Sequence, residues 1–201
     1  VSLGILIAFF INNWSSKLKK ENTYQEYKNS LIVDLEQNLE NLNRIIIAQE
    51  LKVKELNQVI IAIEKSNNYD IDSIGMILFR QRKSPTFFPV KGTFKALVSH
   101  GEIELFDTQL KREIFNLYDT NYERTVYNGN LYDEIYISTY DTRIQDIINL
   151  RTQKVSDPQR LNSADFSKDI MIIVDEAESY LRLIYNTRTR STDVLKLVRK
   201  S

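Results

Sequence analysis

The chain has 201 residues, and its 27 basic and 27 acidic side chains give a formal net charge of zero. This balance provides no net field toward an acidic polymer, so we expect no nucleic-acid partner. The absence of cysteine excludes disulfides, thiolate catalysis and cysteine-bound zinc. Five glycines and three prolines are few for this length and indicate long helices.

The chain opens with an uncharged apolar run, residues 1–11. A helix that spans a bilayer needs about 20 apolar residues, so this run alone is short. The chain starts on Val1 rather than Met, and we expect upstream residues to complete the span. We therefore predict that residues 1–14 are the C-terminal part of a transmembrane anchor, to which these residues contribute: Leu3, Gly4, Ile5, Leu6, Ile7, Phe9, Phe10, Ile11 and Trp14.

The residues after the run favour a membrane boundary. Trp14 is followed by Lys17, Lys19 and Lys20, and an amphipathic ring followed by cations is typical of the membrane–water interface. A signal-peptide core and a buried core helix are the alternatives. The first lacks a small-residue cleavage site, and the second does not account for the abrupt change from Trp to Lys.

The next residues predict a first long helix, at about 24–67. Its apolar residues recur at steps of three and four, a heptad pattern typical of a coiled coil, and Gln49 interrupts the series. The apolar stripe consists of Ile32, Leu35, Leu39, Leu42, Ile46, Val53, Leu56, Ile60 and Ile63.

Residues 70–106 predict short elements that form a cap at the distal end of the bundle. Asp72 or Ser73 is the expected N-cap of a first short helix, and Thr93 that of a second. Gly101 follows the second helix where a left-handed C-terminal residue belongs. Asp107 with Thr108 predicts the N-cap of the next helix.

Two more long helices are predicted, at about 108–150 and 168–200. The first has a weak point at Asn128-Gly129-Asn130 and is expected to run antiparallel to the first long helix. The second follows a turn that contains Pro158. The predicted fold class is all-α, with residues 15–201 forming a long antiparallel bundle of three long helices.

Two blocks of sequence resemble an uncharacterised single-pass membrane protein family of Gram-negative bacteria. The first block is residues 4–14, Gly-Ile-Leu-Ile-Ala-Phe-Phe-Ile-Asn-Asn-Trp, which resembles the family's anchor. The second block is residues 92–106, which Leu110-Lys111-Arg112 and Tyr118 continue. Ser15 and His100 depart from the family's pattern. The order of the blocks suggests that the resemblance covers the whole chain.

The resemblance implies a domain of unknown function, so no catalytic residue is carried over. It also implies a short basic tail upstream of the anchor. With that tail, the positive-inside rule favours a cytoplasmic N-terminus and a periplasmic bundle on the bacterial inner membrane. Three lysines after the span would by themselves favour the cytoplasm.

Candidate chemistry is sparse. His100 is the single histidine and cysteine is absent, so the common zinc sites are out of reach, and we predict no catalytic residue, no metal and no cofactor. Phe87, Phe88, Phe94 and His100 form a possible interaction patch, whereas a small satellite core is the ordinary interpretation of the phenylalanines. The tyrosines between residues 118 and 140 are expected to pack at helix spacing.

These observations lead to two hypotheses of different kinds. The first is a non-enzymatic, membrane-tethered helical bundle that acts as a scaffold, with the lipid bilayer and a protein partner or a second copy as its contacts. The second is an extracytoplasmic domain that senses a ligand.

Overall fold

The computed structural model describes residues 2–64 and 70–201, without the side chains of residues 2–4 and Leu6. The side chains of the predicted anchor residues Leu3, Gly4 and Leu6 therefore lie outside the described part, as does the predicted helix end at residue 67. The described chain is all-α apart from one short hairpin, which confirms the predicted fold class at this level.

The α-helices are α1 (Ser2–Glu64), α2 (Ile71–Arg80), α3 (Gly92–Ser99), α4 (Thr108–Phe115), α5 (Glu123–Tyr136), α6 (Pro158–Leu161) and α7 (Ala164–Lys200). Two π-helices, Asn116–Tyr122 and Ile137–Ile144, follow α4 and α5. Short 3₁₀ turns cover Glu102–Leu105 and Gln145–Ile147. Strands β1 (Ile148–Asn149) and β2 (Lys154–Val155) pair antiparallel, with Ile148 opposite Val155.

The chain divides into two compact units. Unit 1 comprises Val1–Glu40, Pro89–Tyr122 and Thr189–Ser201, and unit 2 comprises Asn41–Phe88 and Glu123–Arg188. Each unit contains part of α1 and part of α7.

Local capping signals account for several helix ends. Asp107 accepts hydrogen bonds from the amides of Gln109 (2.9 Å) and Leu110 (3.0 Å), which confirms the predicted N-cap of α4. Gly101 follows α3 with φ +72°, a left-handed conformation that favours glycine. The N-cap of α2 is Asp70 rather than Asp72 or Ser73, because its carboxylate accepts from the amide of Asp72 at 3.1 Å.

Within unit 2, the helix that contains α5 runs parallel to α1. The Tyr132 hydroxyl donates to Gln49 Oε1 at 3.0 Å, and one turn further along both helices Lys52 Nζ lies 3.8 Å from the ring centroid of Tyr136. The residue numbers of α1 and α5 increase in the same direction along the contact, so the prediction of an antiparallel pair is wrong. The crossover that permits a parallel pair is residues 70–106.

Helix α7 runs antiparallel to its neighbours within each unit. In unit 2, the hydroxyls of Thr125 and Thr187 lie 2.7 Å apart, and the rings of Tyr132 and Tyr180 stack at 5.2 Å. In unit 1, Leu110 and Leu197 line one cleft, while the hydroxyl of Tyr122 lies 2.9 Å from Ser191 Oγ, so residue numbers again run in opposite directions.

The crossover is not the predicted cap at one end, because it lies along α1 within each unit. In unit 2, Lys52 Nζ donates to the carbonyl of Gln81 at 3.3 Å. In unit 1, the amide of Thr93 donates to Asp34 Oδ2 at 2.9 Å, so a carboxylate on α1 caps the start of α3. Residues 81–88, which contact α1 in unit 2, are called the strap below.

The second predicted long helix differs from the observed chain in two ways. It stays helical through Asn128-Gly129-Asn130, and the departures from α geometry are the π-helices at Asn116–Tyr122 and Ile137–Ile144. Its last residues form the hairpin instead of continuing to residue 150. The third helix, α7, starts at Ala164, four residues before the predicted start.

Candidate functional site

The N-terminal part of α1 exposes large apolar side chains. Every described side chain from residue 5 to residue 22 is exposed. The exposed fraction lies between 52% and 69% for Ile5, Ile7, Phe9, Phe10, Ile11 and Trp14. Contiguous apolar surface of this kind marks a site of membrane or protein contact. We call residues 5–14 the apolar stretch.

The apolar stretch ends at a polar edge. Asn12 and Asn13 precede Trp14, and Lys17, Lys19 and Lys20 follow it, all exposed. The change from apolar to cationic side chains takes place within two helical turns. Across residues 2–64 and 70–201, no helix has an apolar segment long enough to cross a membrane.

The four residues of the predicted interaction patch lie in different environments. Phe87 in unit 2 and Phe94 in unit 1 are buried, with exposed fractions of 1% and 6%. Phe94 stacks on Tyr118 at a centroid distance of 4.5 Å, so it belongs to the core of unit 1. Phe88 is 64% exposed, and His100 is also on the surface, where Nδ1 lies 2.9 Å from the hydroxyl of Tyr27.

The buried tyrosines between residues 118 and 140, together with Tyr180, form the aromatic part of both cores. In unit 1, Tyr118 and Tyr122 pack edge to face at 5.0 Å, and the Tyr122 hydroxyl lies 2.9 Å from Ser191 Oγ. In unit 2, Tyr136 stacks on Tyr140 at 5.2 Å. Burial raises the pKa of Tyr122 to about 12 and that of Tyr118 further above its usual range.

A buried polar side chain on α1 holds the middle of the strap. Gln49 is fully buried, and its Nε2 donates to the carbonyl of Pro85 at 3.0 Å and to Ser84 Oγ at 3.2 Å. Ser84 Oγ in turn donates to the Tyr132 hydroxyl at 2.7 Å. The strap has no backbone ladder, so side chains satisfy its polar groups.

The strap is also fixed to α5 and α7. Thr86 Oγ1 donates to Asp133 Oδ2 at 2.9 Å, and the amide of Phe87 donates to the Tyr180 hydroxyl at 2.9 Å. Burial raises the pKa of Asp133, against the opposing effects of Thr86 and of the charge on Lys52. Side chains from three helices, α1, α5 and α7, therefore hold the strap in unit 2.

Lys52 is a lysine buried in the core of unit 2. Its exposed fraction is 1%, and its Nζ lies between the carbonyl of Gln81 and the ring of Tyr136. The Tyr136 hydroxyl donates to the same carbonyl. Burial lowers the pKa of Lys52 to about 7, and the negative charge of Asp133 acts in the opposite direction.

Two residues that matter most here, Gln49 and Lys52, were not predicted as site residues. Gln49 interrupts the apolar stripe of α1, and Lys52 lies three residues further along the same face of the helix. A polar residue on a buried face needs a hydrogen-bonding partner, so the position of Gln49 and Lys52 on this face is the signal in the sequence for a buried polar site.

The described residues show two further features relevant to ligands. Within residues 2–64 and 70–201, no group of three or more His, Cys, Asp or Glu side chains is placed to hold a metal ion. Unit 1 has a surface cleft of about 300 Å³ between the first π-helix and α7. Its lining includes Glu113, Asn116, Leu117, Thr120, Asn121, Arg190 and Val194.

Comparisons with known proteins identify one family. No curated protein and no solved structure matched the chain significantly. The sequence model of a family described as "Family of unknown function (DUF6090)" matches residues 1–179. This match spans both units and most of the chain. The chain therefore belongs to this uncharacterised family, DUF6090.

Proposed function

We propose that this protein is a membrane-tethered helical domain that acts through protein contacts rather than through catalysis. In this proposal the apolar stretch inserts into a lipid bilayer as part of a single-pass anchor. The bundle is the working part of the molecule and is expected to be periplasmic on the bacterial inner membrane.

The observation that carries the proposal is the exposure of the apolar stretch on all sides of α1. Phe9 and Phe10 are adjacent and therefore point in different directions from the helix axis, yet both are more than 60% exposed. An amphipathic helix would cover one of them against the core. A helix that is apolar all round, with Trp14 and lysines at its end, is instead suited to hydrocarbon with a headgroup boundary.

Liposome flotation tests the tether. We expect the chain to float with vesicles of phosphatidylethanolamine and phosphatidylglycerol, and the double variant Phe9→Glu, Phe10→Glu to stay in the dense fraction. Charges at the centre of an apolar helix cost several kcal/mol each in hydrocarbon. The matched control is Ile47→Glu, which alters a residue of α1 that is 66% exposed but lies outside the apolar stretch.

The control variant should float as the unmodified chain does. Equal flotation of the double variant, or failure of the unmodified chain to float, would remove the tether from the proposal.

The exposed aromatic ring of the strap is the favoured contact point for a partner. Phe88 is 64% exposed, while its carbonyl accepts from Asn41 Nδ2 at 3.4 Å and its neighbour Phe87 is buried. An aromatic side chain on a fixed backbone loses little conformational freedom when it binds, which is typical of interface anchors.

Photo-crosslinking tests this contact. With p-benzoylphenylalanine at position 88 in cells, we expect one discrete crosslinked species of higher mass, and at position 127 we expect none. Tyr127 is also 64% exposed, so it controls for accessibility. Identical patterns from the two positions would argue against a specific contact at Phe88.

A further inference from the structure

Two segments of unit 2 place groups against the amine of Lys52. Gln81, after α2, provides a carbonyl at 3.3 Å, and α5 provides the ring of Tyr136 at 3.8 Å. Within residues 2–64 and 70–201, that carbonyl is the one hydrogen-bond acceptor of Nζ. An ammonium group carries three N–H donors, so its charged form is poorly satisfied here.

The charged neighbours of Lys52 do not form a direct ion pair with it. On α1 itself, Glu55 is held by Arg80 at 2.7 Å and by Gln81 Nε2 at 2.6 Å. On α5, Asp133 acts on Lys52 through its charge but accepts its hydrogen bond from Thr86.

The remaining elements of unit 2 contribute titratable groups around Tyr132, Tyr136 and Tyr140. Helix α7 provides Tyr180 and Glu176, of which Glu176 acts electrostatically on Tyr132. The second π-helix provides Tyr140 and Asp141, which affect Tyr136. Arg82, beyond the strap's first residue, acts on Tyr140.

The effects on Lys52 oppose one another, and burial outweighs the charge of Asp133. Burial favours the neutral amine, whereas the charge of Asp133 and the face of the Tyr136 ring favour the ammonium form. The resulting pKa of about 7 places the change of charge within the range of ordinary cellular pH. The unfolded chain has a lysine pKa near 10.5, so any state that exposes Lys52 binds a proton more tightly.

We propose that Lys52 and the first residues of the strap form a proton-responsive latch, in which protonation of Nζ moves the amine out of the core and releases residues 81–84 from α1. The carbonyl of Gln81 is the point of attachment, since both Lys52 and Tyr136 donate to it. The latch regulates how firmly the strap is held, and it does not depend on the membrane tether.

Hydrogen–deuterium exchange of the full chain in detergent micelles tests the latch. Peptides that cover residues 81–84 are followed at about pH 8.5 and about pH 6, and the rates are corrected for intrinsic exchange. The pKa of Lys52 is about 7 in the closed state and near 10.5 when the amine is exposed. Linkage therefore predicts that the equilibrium constant for opening is about 30-fold larger at about pH 6 than at about pH 8.5. Peptides from unit 1 should not show this change.

Three variants separate the latch from general effects of pH. Lys52→Met cannot be charged and should keep residues 81–84 protected at both pH values. Lys52→Arg cannot be neutral and should leave them open at both. Lys54→Met, on an exposed position of α1, should retain the 30-fold change of the unmodified chain.

An opening constant that is independent of pH in the unmodified chain would overturn the proposal. The same change with pH in Lys52→Met or in Lys52→Arg would also overturn it. If Lys52→Met does not fold, the unmodified chain and Lys52→Arg still decide between the outcomes, because they differ only at the higher pH.

Discussion

The close approach of α2 to the hairpin depends on a single residue, Gly75. A Cβ atom at this position would lie 2.6 Å from the carbonyl oxygen of Gln153 and 2.9 Å from the amide nitrogen of Val155. Both are backbone atoms of the hairpin. Gln153 itself has φ +59°, a left-handed conformation that costs energy in a residue other than glycine.

The hairpin is rigid because its turn is tied internally, and the ion pair between Lys154 and Asp72 at 2.6 Å joins it to α2. Asn149 Oδ1 accepts from the amides of Arg151 at 3.0 Å and Thr152 at 3.1 Å. The amide of Gln153 also donates to the carbonyl of Asn149 at 2.7 Å. A methyl group at position 75 would therefore push the backbone of α2 away from that of the hairpin.

We predict that Gly75→Ala destabilises the protein by up to about 2 kcal/mol, because overpacking at so close a contact costs about 3 kcal/mol. This cost exceeds the gain of about 1 kcal/mol that alanine brings to a helix interior. Gly92→Ala is the matched control, because a Cβ there has nothing within 4 Å. Urea unfolding followed by circular dichroism at 222 nm measures both, and a higher midpoint for Gly75→Ala than for the unmodified chain would contradict the prediction.

At the scale of single elements, the sequence predicts the helices better than their N-caps, because α2 is capped by Asp70 and the N-cap of α3 is Lys91 rather than Thr93. Periodicity identifies the long amphipathic helices because each has to bury one face, and Asp107 and Gly101 end segments for local reasons. The same reasoning fails at the two π-helices. In a π-helix the hydrogen bonds run from residue i to residue i+5, whereas buried residues four apart, such as Tyr118 and Tyr122, are equally typical of an α-helix and give no signal of the change.

The strap shows why the direction of the second long helix could not be predicted. Helical periodicity defines which face is buried but does not define the partner. Residues 81–88 could be laid along α1 because Gln49 satisfies the strap's backbone at Pro85. This long-range pairing joins residues 36 positions apart, and nothing in the local pattern specifies it.

The candidate sites also differ in whether local sequence or long-range contacts define them. The apolar stretch was predictable because its composition alone conflicts with exposure to water. The site at Lys52 was not predictable because its chemistry arises from burial, and burial of a lysine depends on the carbonyl and the ring that surround it. The sequence leaves two interpretations of the phenylalanines open, a small core and an interaction patch, and only the folded chain separates buried Phe87 from exposed Phe88.

For the molecule as a whole, the tyrosines and Lys52 together determine how stability depends on pH. Burial raises the pKa of six tyrosines: Tyr118, Tyr122, Tyr132, Tyr136, Tyr140 and Tyr180. Their folded pKa values lie above the unfolded value near 10. The folded state therefore favours the neutral phenols, and stability is lost as pH rises above about 10.

Lys52 has the opposite effect at lower pH. Its folded pKa of about 7 lies below the unfolded value of 10.5, so unfolding takes up a proton between these values. The free energy of unfolding must therefore increase as pH rises from about 7 toward 10. Below about pH 7 Lys52 is protonated in both states and contributes no further slope.

We predict that the free energy of unfolding has its maximum between about pH 9 and about pH 10. Urea unfolding across this range measures it, and Lys52→Met should lose the rise on the acid side while keeping the alkaline fall. Absorbance of phenolate at 295 nm provides an independent readout. In the folded chain part of the tyrosine absorbance should appear only above about pH 11, whereas in urea all eleven tyrosines should titrate near pH 10. Titration of every tyrosine near pH 10 without unfolding would show that the aromatic cores are open to water.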